Sequence, residues 1–195
     1  ATLTNDAVVA VAKSVNWVVE SLGGQAVLDI SGNSVTLTGT APGDVNVKGE
    51  YQGIFANFNV TVTPVLSGTA AVGAPMGGAS IVLTDKNGNQ WTTTANDRGS
   101  YTFSDLTGAV APFQVTASVK MGDTVVTHYA LVTESGADRV ANITPLTTAV
   151  TALVAPTDVP MALTAEQISA ITAEQIAGAT TKIKTAMAGI GKCFV

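Results

Sequence analysis

The chain is poor in the residue types on which catalysis and metal binding most often rest. It has one histidine, His128, and one cysteine, Cys193, in 195 residues. A general acid–base site built on imidazole therefore has a single candidate. Cys193 has no second cysteine with which to close a disulfide inside the chain. Charge is scarce as well: Asp, Glu, Lys and Arg make up 12% of the sequence, about half the usual globular share of roughly 25%. Nine basic residues against fourteen acidic ones give a net charge of −5. With so few cations to neutralise phosphates, nucleic acid is excluded as a partner. No apolar run approaches the ~18 residues of a membrane-spanning helix. Aromatics are 5% of the chain.

Thr, Ala, Val and Gly replace the missing charge, a mixture suited to half-buried strands and tight turns. Between Val35 and Val62 the apolar residues alternate with Thr, Asn and Lys: Val35 and Leu37, Val45 and Val47, then Phe58, Val60 and Val62. That period of two predicts antiparallel strands with one buried face. Turns are expected at Ser31-Gly32-Asn33, Ala41-Pro42-Gly43-Asp44 and Gln52-Gly53. After Pro64 a second block begins. Ala79–Asp85 and Gln90–Thr94 flank Lys86-Asn87-Gly88-Asn89, and Asn-Gly between alternating runs signals a hairpin. Further strands are expected at Ser100–Phe103, Phe113–Val119, Thr124–Val132 and Arg139–Ile143.

From Thr144 the period changes to three and four. Thr144 is placed to cap a helix with Pro145 at its first position, and Leu146, Ala149, Val150 and Leu153 form its apolar stripe until Pro156 and Pro160. Two capping boxes follow, Thr164-Ala-Glu-Gln167 and Thr172-Ala-Glu-Gln175. They predict two successive helices with Ile168, Ile171, Ile176, Ile183, Met187 and Ile190 on one stripe. The fold class expected is mainly β: two consecutive sandwiches at 1–64 and 65–144, then a helical tail at 145–195.

The motifs that could carry chemistry read as structural. His128 lies in an alternating strand, and no nucleophile elbow or His-Glu-x-x-His pattern accompanies it. Asp85-Lys-Asn87-Gly-Asn89 imitates the start of a calcium loop. Gln90 and Asn96 stand where that loop needs Gly and Glu, so a hairpin turn accounts for it better. Gly73-Ala-Pro-Met-Gly77-Gly78 precedes a strand and not a helix, so it reads as a flexible loop with no phosphate to cradle. Trp17, Trp91, Tyr51, Tyr101 and Tyr129 are the candidates for a sugar-stacking platform. No catalytic, cofactor or metal site is assigned.

Residues 16–63 resemble a bacterial Ig-like domain of group 2. The match lies in Trp17 within NWVVES, the turn before Val35-Thr36-Leu37-Thr38-Gly39, Ala41-Pro42-Gly43, and the closing Phe58-Asn59-Val60-Thr61-Val62. Residues 66–144 resemble a carboxypeptidase regulatory-like, or transthyretin-like, domain. Gly68, Gly73, Ala79, Val82, Asp85, Gly88, Thr94, Gly99, Tyr101 and Phe103 stand in that family's order. The resemblance implies exported, non-catalytic modules of a bacterial surface, and Trp17 as a core residue. In the Ig-like family about two strands precede the tryptophan, whereas sixteen residues do so here. The first domain is thus expected to be a strand short.

The function expected is that of a non-enzymatic extracellular structural protein, self-associating by strand addition with residues 1–12 as donor. Ala1 is then a mature N-terminus left by signal cleavage, or an artificial boundary. The competing readings are a surface module that binds a glycan or protein ligand, and accessory domains of a larger secreted hydrolase. Cys193 is expected to be free or used between chains. Because the calcium-like loop lacks its closing ligands, addition of a chelator should leave the melting temperature unchanged. A drop on chelation, seen by circular dichroism, would contradict that reading.

Overall fold

A computed structural model describes residues 15–31, 34–134, 138–155 and 162–191, with side chains to 188. Cys193 and the proposed donor segment 1–12 lie outside the described residues, as does the side chain of Ile190. The fold is mainly β and comprises two compact units that meet in sequence at Pro64 and Val65.

The first unit holds strands β1 (Asn16–Leu22), β2 (Gln25–Ser31), β3 (Ser34–Ala41), β4 (Gly43–Tyr51) and β5 (Ile54–Val62). They form a three-stranded sheet in the order β1-β4-β5 and a two-stranded hairpin, β2-β3. The alternation expected between Val35 and Val62 is realised. Val45 pairs with Val60 and Val47 with Phe58, so these side chains share one face. The opposite face carries the polar partners, with Lys48 on Glu20, Asn46 on Asn59 and Thr61 on Asp44, each at 2.6 Å. Gln52 and Gly53 both take positive φ, 49° and 78°, and close a two-residue turn between β4 and β5. Trp17, expected in the core, is half-buried and lies over Gly49.

The second unit begins with β6 (Val65–Thr69), β7 (Ser80–Asp85), β8 (Gln90–Thr94) and β9 (Ser100–Phe103). It continues through β10 (Phe113–Met121), β11 (Thr124–Val132) and β12 (Asp138–Val140) to helices α1 (Pro145–Val154), α2 (Ala165–Ser169) and α3 (Ala173–Gly191). Two sheets, β11-β10-β7-β8 and β12-β6-β9, enclose a core in which Leu66, Ile81, Leu83, Phe113 and Val115 are fully buried. The 86–89 turn is organised by Asp85. Its buried carboxylate accepts from the backbone N–H groups of Asn87, Asn89 and Val110 and from the Asn89 amide, at 2.8–3.2 Å. Gly88 takes φ +83°, as the turn requires.

Three expectations change. The strand expected over Arg139–Ile143 is only Asp138–Val140, because the Asn142 side chain accepts the Thr69 N–H at 3.1 Å where a backbone carbonyl would otherwise do so. Ala141 and Ile143 still donate to Ser67 and Thr69 of β6. The glycine-rich loop is anchored and not loose: Met76 is fully buried, and its N–H donates to the Ala70 carbonyl at 2.9 Å. The helical stripe divides. Ile168 and Ile171 are buried with Leu163 in a small cluster that includes Leu131 and Ile176, whereas Met187 is half exposed.

The helix starts are as read. Thr144 accepts from Thr147 N–H, Thr164 from Gln167 N–H and Thr172 from Gln175 N–H, and in each case the third residue's side chain returns to the cap backbone. The three helices belong to the same compact unit as the second sandwich.

One corner fixes how the β12-β6-β9 sheet closes. Tyr101 on β9 reaches across β6 and donates its hydroxyl to the Ala141 carbonyl at 2.5 Å, passing the bare α-carbon of Gly68. A β-carbon at Gly68 would run into that same carbonyl oxygen. Gly68→Ala should therefore destabilise the second unit by about 2 kcal/mol, in the range of overpacked cores. Tyr101→Phe should cost about 1 kcal/mol for the lost buried hydrogen bond. Chemical denaturation measures both. Equal and negligible losses would mean that the corner is not under constraint.

Candidate interaction surface

One sheet edge in each unit shows the contrast. In the second unit β11 ends its sheet, and α1 runs along it. Thr148 on α1 accepts the Tyr129 N–H through its hydroxyl at 3.0 Å and meets His128 Nδ1 at 2.9 Å. Thr151, one turn on, is fully buried. The sequence pattern gives α1 an apolar stripe but names no neighbour for it. The structure gives the sheet edge to the threonines, because an edge strand's backbone groups need polar partners. Leu146 and Val150 instead share a groove of about 460 Å³ with Ile183 and Met187 of α3 and Leu131 of β11. Glu134 and Lys184 also line it.

The first unit has no comparable cover among the described residues. Of its described large apolar side chains, only Val45 and Val47 are fully buried. Residues 52–59 are all exposed. Ile54 is 73% exposed, Phe55 75% and Phe58 51%. Ile54, Ala56 and Phe58 lie on the same face as Val47, and Phe55 on the other. The start of β5 is thus apolar and bare on both faces. From Ile54 to Val62 the strand has no charged residue, no Pro and no Gly, which are the usual devices that keep an edge from pairing. Among the described residues β5 pairs with β4 alone.

The residues weighed for chemistry are not brought together. His128 is partly buried on β11, and burial pulls its pKa below the ordinary value of 6.5. Its described side-chain partner is the Thr148 hydroxyl. The Asp85 carboxylate is occupied by amides. No cluster of three His, Cys, Asp or Glu side chains exists among the described residues. Of the five aromatics, the three in the second unit form no platform. Tyr101 is buried, with its hydroxyl pKa pushed up by desolvation. Trp91 packs against the core on β8, while Tyr129 points from the opposite face of the same sheet, on the far strand β11. Among the described residues no helix is long and apolar enough to cross a membrane.

No family model matches the chain, and no curated protein does. Among solved structures it is similar to BcpA, the major pilin subunit of Bacillus cereus, at 14% identity and a TM-score of 0.32. That likeness covers 68% of this chain and 56% of that one. The Bacillus anthracis TIE protein is similar at 10% identity and a TM-score of 0.27, over 68% of this chain and 34% of that one. The chain thus spans about half the length of BcpA and a third of the TIE protein. Likenesses this weak add nothing to what the sheets themselves show.

Burial makes His128 a stabilising group only while neutral. Its lowered pKa means that the stability it contributes is full above pH ~6.5 and is lost as pH falls through the folded-state value. Asp105, Glu166 and Glu174, whose pKa values are held down by local hydrogen bonds, act in the same direction at lower pH. Replacing the only imidazole isolates its share. His128→Gln should flatten the fall in melting temperature between pH 7 and 5.5 and leave the carboxylate limb below it. An imidazole that titrates at or above 6.5 by NMR would contradict this.

Proposed function

We propose that the chain is a non-enzymatic structural subunit of a cell exterior, and that it self-associates by adding a strand from one copy to the first unit of another. The observation that carries this is the bare, uncharged, two-sided apolar start of β5. A soluble sheet that must stay monomeric covers, charges or interrupts such an edge. In the same chain the β11 edge is covered by α1, so an apolar edge left bare is not the rule throughout the chain. The thin core of the first unit supports the same reading, since a partner strand would supply both the missing backbone partners and the missing apolar surface.

In this reading the first unit is an Ig-like module that is a strand short, and the second is a transthyretin-like module that folds unaided. Strand addition between identical copies is heterologous. Where its rotation does not close, it propagates a filament. Export to the cell surface follows from the module types that the sequence resembles.

Negative-stain microscopy and light scattering on the purified chain test the proposal together. Elongated multimers whose mass grows with concentration are expected. A monomer of single mass at every accessible concentration would overturn it.

A further inference from the structure

We infer that the acceptor is the free edge of β5 at Ile54–Phe58 and that its occupant is the segment Ala7–Val11 of a second copy. This rests on the self-association proposed above and names the two halves of the contact. Three observations converge on it.

The first is facial chemistry. Most half-buried strands are apolar on one side, so most donors that match them alternate. The start of β5 is bare on both sides and carries large apolar residues on each, with Ile54, Ala56 and Phe58 on one and Phe55 beside Asn57 on the other. A strand laid beside it needs apolar residues at consecutive positions. Ala7-Val8-Val9-Ala10-Val11 is such a run, with no charge, Pro or Gly. Its valines are β-branched, as strand positions favour. In the first unit the other strands are exposed mainly at single, alternating positions.

The second is the polarity of the flanks. Asp6 precedes the run and Lys13 follows it. The β5 segment is bounded by Gln52-Gly53 at one end and Asn59 at the other. An apolar run of six residues, Ala7–Ala12, therefore meets a five-residue edge, Ile54–Phe58, that is apolar except at Asn57, with polar residues outside both.

The third is where the segment joins the sheet. Asn16 starts β1 opposite Glu50 of β4, and Glu50 lies opposite Phe55 of β5. The N-terminal segment thus leaves the sheet at the end where β5 is bare, but on the far side of it. To reach the free edge of its own β5 it would have to cross three inter-strand spacings, about 14 Å at ~4.8 Å each. The links from Val11 to Asn16 span at most about 18 Å when fully extended. That leaves almost no chain for the turn at each end of such a crossing. The edge of a second copy imposes no such limit.

The test uses the full chain, a form lacking residues 1–12, and a synthetic peptide of residues 1–15 carrying a fluorophore. Ile54→Lys with Phe55→Lys charges the proposed edge at two exposed positions. Val27→Lys, at a 58% exposed position on β2, is the control. Melting temperatures verify that every form is folded. The truncated protein is expected not to assemble and to bind the peptide by fluorescence anisotropy. The β5 double variant in that background should bind at least tenfold more weakly, while the Val27→Lys control binds as well as the unaltered form. Equal binding by the β5 variant, with assembly still lost on truncation, would place the acceptor elsewhere and overturn this inference while leaving self-association intact. Assembly that persists without residues 1–12 would remove the donor and leave self-association standing. A full chain that never assembles would overturn both.

Discussion

A β-sheet ends in a row of backbone N–H and C=O groups that something must satisfy, and much of this protein is arranged around that requirement. Water satisfies such groups when the strand is polar, short or twisted away. When the strand is apolar, exposing it costs hydrophobic surface as well. At β11 the chain meets the cost internally. Helix α1 follows within a few residues of β12, is started by the Thr144 cap and Pro145, and brings Thr148 to the Tyr129 N–H. The helix is less an appendage of the sandwich than its missing edge.

The two units consequently differ in how much of their stability is their own. The second encloses a continuous core from Leu66 to Ile143 and closes its outer surface with Leu163, Ile168 and Ile171. Among the described residues the first contributes only two fully buried large apolar side chains, both on its central strand β4. At ~25 cal/mol per Å², such a core offsets little of the chain entropy that ordering five strands costs. Its glycines show where the two sheets are nonetheless pressed together. Gly24 and Gly43 meet backbone to backbone, and Gly39 fits against Val62. The sandwich is tight at that end and thin at the other, where Phe58, Ala56 and Ile54 continue the inner face into solvent.

Much of this was legible in the sequence, and the reasons differ by element. Hairpin turns such as Gln52-Gly53 and Asn87-Gly88 need positive φ, so the residue type announces the geometry. Helix starts were legible because a cap is a local hydrogen bond between residues three apart. The short β12 was misjudged because Asn142 replaces a backbone acceptor with its side chain, a choice that depends on Thr69, 73 residues away. The neighbour of the α1 stripe was not legible for a similar reason. Periodicity tells which residues of a helix are apolar, but not that the sheet beside it presents an edge, which calls for threonine. The glycine-rich loop was read from its composition as loose, whereas Met76 anchors it in the core.

The open edge of β5 shows the reverse case, in which a local pattern is clearer than the contacts. Nothing in the strand IFANFNVTV is unusual for a central strand, and a central strand is what its composition describes. Its neighbour on one side is β4; on the other side the described residues supply none. A sequence written for two neighbours in a sheet that offers one is a conflict between local and global structure. Natural sequences mostly avoid such conflicts, and where they persist the strain is commonly tied to function. Here the conflict disappears if the sheet is counted across two copies of the chain. Strand and partner then agree in polarity at their ends and in the apolar residues between them.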